Sequence, residues 1–60
     1  MRALRIVSCS DSMMWYSHLV GELVPLLAVE KVEYKSREPA GYVNFVKLCD
    51  GKVEEVDEGI

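Results

Sequence analysis

The sequence is poor in the residues that build reactive centres. It has one histidine, one tryptophan, one phenylalanine, two cysteines and two prolines in 60 residues. His18, Cys9 and Cys49 are too few and too widely spaced for a tetrahedral zinc site, so no metal is expected. There is no Gly-x-x-x-x-Gly-Lys phosphate loop and no Gly-x-Gly-x-x-Gly fingerprint, so no nucleotide cofactor is expected. Serines stand at positions 8, 10, 12, 17 and 36, none of them in a Gly-x-Ser-x-Gly elbow beside an ordering base. The carboxylates do not pair in a way that would converge across a cleft, as glycoside chemistry requires. The chain is therefore expected not to be an enzyme.

Long apolar runs are also missing. The longest, residues 23–29, is far short of the roughly 18 residues of a membrane span. The basic start, with Arg2 and Arg5, leads into neither a long apolar region nor a small-residue cleavage site. A complete, cytoplasmic chain without a membrane partner is the expectation. In that compartment Cys9 and Cys49 are expected as reduced thiols packing like small core residues.

What is present suffices for one domain spanning residues 1–60. Half of the residues are hydrophobic, which argues against disorder. A chain this short buries only about 60% of its unfolded surface, so stability is expected to be marginal. The net charge of −3 is unevenly laid out. All seven bases lie within residues 1–53, balanced by six acids, whereas Glu54, Glu55, Asp57 and Glu58 crowd the end. That end reads as a solvated terminal strand and tail.

Residues 4–8 alternate Leu4 and Ile6 against Arg5, the pattern of a short strand. Ser10, Asp11 and Ser12 favour caps and turns, and one or two helical turns are expected through residues 13–16, held by their aromatic rings. Gly21 suits a turn needing a positive φ. The apolar run 23–29 reads as a buried strand with an edge or bulge at Pro25, which has no N–H. Val32 and Tyr34 alternate with charges as a half-buried strand, and residues 36–41 form a loop. Asp50-Gly51, between residues 42–49 and 52–56, suggests a hairpin with a type I′ turn, in which Leu48 faces Val53 and Lys47 faces Glu54. The expected fold class is all-β: about five short strands in a small, partly open barrel, with one short helical turn between the first two.

The run Trp15-Tyr16-Ser17-His18-Leu19-Val20-Gly21, the apolar strand after it, Tyr34, Gly41-Tyr42-Val43-Asn44-Phe45-Val46 and Asp50 before a last strand together resemble Src-homology-3-like small barrels. Those are single-domain proteins of bacteria and phages, often of unassigned function. The resemblance spans nearly the whole chain and implies a fold, not a reaction. Pro39-Ala40-Gly41-Tyr42-Val43 also looks like a segment of the eukaryotic peptide-binding members. The acidic loop with paired tryptophans is missing, so binding of proline-rich peptides is not expected.

Elimination leaves an interaction module that binds a protein partner or itself. Trp15, Tyr16, Arg37 and Tyr42 are the candidate contact residues: rings supply anchor area and Arg37 a forked donor. Met13 and Met14 beside Trp15 suit an adaptable patch. The alternative is a nucleic-acid-binding barrel, with Lys31, Lys35, Arg37 and Lys47 among Tyr34 and Tyr42. Glu33, Glu38 and an overall pI near 4.9 weigh against it.

Overall fold

Leu4 and Ile6 are fully buried and alternate with the partly exposed Arg5 along Arg2–Ile6, the first strand (β1), in which Ala3 is buried too. A computed structural model describes residues 1–57, and in it five further strands follow: Leu23–Pro25 (β2), Ala28–Val29 (β3), Glu33–Arg37 (β4), Val43–Lys47 (β5) and Gly51–Glu55 (β6). They form two three-stranded antiparallel sheets, ordered β2-β1-β6 and β3-β4-β5. The one helical element among the described residues is a 3-10 turn at Leu48–Asp50. No ladder among the described residues closes the two sheets into one. Glu58, part of the expected acidic tail, lies outside those residues.

The apolar run 23–29 is two strands rather than one. Pro25 ends β2, and its carbonyl accepts a 2.6 Å hydrogen bond from Ser36 Oγ. Two residues on, the Leu27 amide donates to the Lys35 carbonyl and the chain joins the other sheet. A residue without an N–H is a natural place to leave a ladder. Val32, expected on a half-buried strand, sits exposed in the bend before β4.

The expected hairpin at Asp50-Gly51 is not formed. After β5 the 3-10 turn carries the chain to the other sheet, where β6 pairs with β1 in the register Leu4↔Val53. Gly51 has φ −130°, an extended conformation open to any residue. Its glycine is explained by packing instead, since a Cβ there would lie 2.9 Å from Leu4 Cδ1 and 3.1 Å from Tyr34 Cδ2. The hairpin of the second sheet lies earlier. The Glu38 amide donates to the Tyr42 carbonyl, the Gly41 amide to the Glu38 carbonyl, and Gly41 has φ +103°. Pro39-Ala40-Gly41 is thus a three-residue connection whose last position requires the left-handed region.

The helical turn expected between the first two strands is also replaced. Residues 7–22 run as successive reverse turns, with amides of Met14, Ser17, Leu19 and Glu22 each bonding the carbonyl three residues back. Asp11 Oδ1 starts the series by accepting from the Met13 amide. Gly21, at φ +93°, ends it as its position suggested. A core of Leu4, Ile6, Val24 and Val46 lies between the sheets, and the loop contributes Tyr16 to it, fully buried.

Candidate interaction surface

Tyr16, a candidate contact residue by sequence, is a core residue and offers no surface. Its hydroxyl donates 2.6 Å to Asp50 Oδ2 and accepts from the Lys47 amide at 3.4 Å. Ser8 Oγ donates to the other Asp50 oxygen at 2.9 Å. This buried network ties the long loop to the 3-10 turn. The Tyr16 hydroxyl, followed by Ser8 and Cys49, holds the Asp50 carboxyl below the usual range against the opposing effect of burial. Burial first, and then the same hydrogen bond, pushes the Tyr16 phenol up.

Both shifts stabilise the fold over a window with two edges. The depressed carboxyl contributes stability above the unfolded Asp value of about 3.9, lost as pH falls through the lower folded value. The raised phenol contributes below the unfolded Tyr value of about 10, lost as pH rises beyond it. Urea midpoints should therefore be flat near neutrality and fall at both extremes. Asp50→Asn should flatten the acid limb; an unchanged acid limb would show that Asp50 is not its cause.

The other sequence candidates are divided by strand parity. Tyr34 faces inward and packs on the core. Arg37 and Tyr42 lie together at the end of the β4–β5 hairpin, where Arg37 Nη1 donates 2.8 Å to the Gly41 carbonyl and Tyr42 is 71% exposed. Trp15 is half-buried at the free edge of β5, its indole N–H donating 2.8 Å to the Phe45 carbonyl. Its ring meets that of Tyr16 edge-on, 5.4 Å between centroids.

The surface that Arg37, Tyr42 and Trp15 border is the outer face of the second sheet. The hydrogen-bonded closure at Glu38 and Tyr42 makes Arg37↔Val43, Lys35↔Phe45 and Glu33↔Lys47 the non-hydrogen-bonded pairs, whose side chains stand closest. Val43 and Phe45 are 46% and 40% exposed, large apolar groups on an outward face. Lys35, Arg37 and Lys47 surround them with only Glu33 opposing. The face is apolar at its centre and positively charged around it, on a chain that is acidic as a whole. Reasoning from sequence overlooked Val43 and grouped Lys35 and Lys47 with Tyr34, which faces the other way. Recognising Pro39-Ala40-Gly41 as the hairpin connection would have put 33, 35 and 37 on one face with 43, 45 and 47.

A cleft of about 570 Å³ opens beside this face, between the loop, β2 and the hairpin. His18 and Glu22 line one side and Arg37 and Glu38 the other, above Leu23 and Pro25. No serine or cysteine is among its lining residues. Among the described residues no three His, Cys, Asp or Glu side chains gather as a metal site. No described helix is long and apolar enough to cross a membrane. The protein is thus of the small all-β class, and its second sheet carries an outer face of exposed apolar groups beside cations. No family model matches the chain, and no curated protein or solved structure does either.

Proposed function

We propose that this chain is a non-enzymatic interaction module on an Src-homology-3-like, partly open barrel of bacterial or phage type, binding an acidic protein partner through the outer face of β4 and β5. The observation that carries the site is the exposed pair Val43 and Phe45 flanked by Lys35, Arg37 and Lys47 on the same face. Large apolar groups supply anchor area, and the surrounding cations select and orient an acidic partner. Support for the barrel comes from the strand orders, the long β1–β2 loop and the 3-10 turn before β6. Cys9 and Cys49 are free thiols, as a reducing, cytoplasmic setting would keep them, but Cys49 is exposed rather than packed in the core as expected.

The same face favours a second reading. Three cations around an exposed phenylalanine could hold a nucleic-acid strand by phosphate contacts and stacking. An NMR titration with short single- and double-stranded oligonucleotides, at low and then physiological salt, separates the two. An unchanged spectrum, with a purified acidic partner whose binding falls at least about tenfold in Lys35→Glu/Arg37→Glu, is the expected result. Salt-sensitive shifts at Lys35, Arg37, Phe45 and Lys47 on adding oligonucleotide would replace it with the nucleic-acid reading. Both substituted side chains project outward and only the exposed Arg37–Gly41 bond is lost, so the variant should remain folded with a loss of no more than about 1 kcal/mol.

A further inference from the structure

The strand edges of the two sheets are treated differently. On the outer edge of β5, Trp15 bonds the Phe45 carbonyl, Asn44 Oδ1 accepts from the Phe45 amide and Tyr16 accepts from the Lys47 amide. On β2, Ser36 occupies the Pro25 carbonyl. The third outer strand, β3, has only two residues. Blocked or shortened edges are the usual protection against unwanted pairing. Among the described residues β6 has no such protection: it ends its sheet with five residues and no paired strand beyond it.

The hydrogen-bond parity shows which groups face out. Val7 donates to the Asp50 carbonyl and Val56 to the Met1 carbonyl, and the register pairs Arg5 with Lys52 and Ala3 with Glu54. Even-numbered residues of β6 therefore bond β1, and the backbone groups of Gly51, Val53 and Glu55 point away.

We infer that β6 is the strand through which two copies of the chain join, antiparallel and centred on Val53. This goes beyond the β4–β5 face and uses a different surface. A twofold axis at Val53 pairs Val53 with its own counterpart and Gly51 with Glu55 of the second copy, all by the outward backbone groups. The same register sets Lys52 opposite Glu54 of the other copy, twice by symmetry, on the outer face of the joined sheet. Shifting the centre to Lys52 or Glu54 would juxtapose like charges and present the wrong parity. Glu54 is already held in place, because Arg5 grips both its oxygens at 3.0 and 3.2 Å, so a second cation meets a positioned carboxylate. The product is one six-stranded sheet, β2-β1-β6 followed by its mirror order.

Sedimentation and amide exchange over a range of protein concentration test this. Sixty residues are within reach of chemical synthesis, so one chain carries N-methylvaline at position 53, which removes an N–H that β1 does not use. For the unmodified chain the expected result is a monomer–dimer equilibrium in which the Val53 amide exchanges about tenfold more slowly once most chains are paired. The Lys52 and Glu54 amides, already bonded to β1, should be indifferent to concentration. Diluted to where both are monomeric, the N-methylated chain should melt as the unmodified one does; concentrated, it should still sediment as a monomer, and Lys52→Glu should weaken pairing at least about tenfold. A chain that stays monomeric when concentrated, with rapid Val53 exchange, would overturn the inference. So would a dimer that survives N-methylation.

Discussion

Tyr16→Phe is expected to destabilise the protein by about 2–3 kcal/mol, although it removes one atom and leaves the ring in place. The hydroxyl is the 2.6 Å partner of a buried carboxylate and the acceptor for the Lys47 amide. Without it, Asp50 Oδ2 and that amide lose their partners together, in a place where water does not replace them. A lost bond to a charged acceptor costs more than a neutral one, because the desolvation already incurred is no longer offset. For 60 residues the whole folding free energy is of order 3–9 kcal/mol, so this single atom commands a large share of it. Thermal melts should show a fall of about 10–20 °C. The Tyr16→Phe/Asp50→Asn double variant should cost less than the sum of the singles, since the second change removes the charge that the first strands. A loss under about 0.5 kcal/mol would mean that the network is not closed in solution.

Gly51→Ala is the second large effect, expected at about 1–3 kcal/mol. The backbone there accepts alanine without strain, so any cost is steric. The added methyl would press on Leu4 Cδ1 at 2.9 Å and Tyr34 Cδ2 at 3.1 Å, and Leu4 is fully buried with no room to retreat. Urea denaturation of Gly51→Ala in wild-type and Leu4→Val backgrounds separates this cause from others. Shortening Leu4 should absorb part of the penalty, giving a favourable coupling between the two sites. Strict additivity would point away from the Leu4 contact.

Gly51 also shows why the sequence was only partly legible. Asp50-Gly51 between two β-prone runs is a strong local signal for a hairpin, and the apparent register paired Lys47 with Glu54. Local signals report what a short peptide prefers, whereas β1, some fifty residues away, competes for the same strand and wins. Its backbone ladders are completed only by β6 and β2, and that pairing carries Leu4 and Ile6 into the core. Elsewhere the local chemistry was decisive: Gly21 at a positive φ, Pro25 at the departure from a ladder, Asp11 opening a series of turns. The all-β class follows from such alternation and turn residues. Tyr16 and Tyr34 read from sequence both as packing residues and as candidate contacts, because aromatic residues serve cores and contacts equally well. Only strand parity, which depends on the true hairpin at Pro39-Ala40-Gly41, tells the two uses apart.

The pairing of β1 with β6 has a consequence for the order in which the protein comes into being. A ribosome delivers β1 first and its neighbour β6 nearly fifty residues later, as the span from Arg5 to Glu54 illustrates. Until β6 emerges, the central strand of the first sheet lacks one of its two partners, while the β4–β5 hairpin closes over three residues and can form at once. Vectorial synthesis thus assembles this domain from its middle outward, and the nascent chain waits on β6 to complete the sheet around β1.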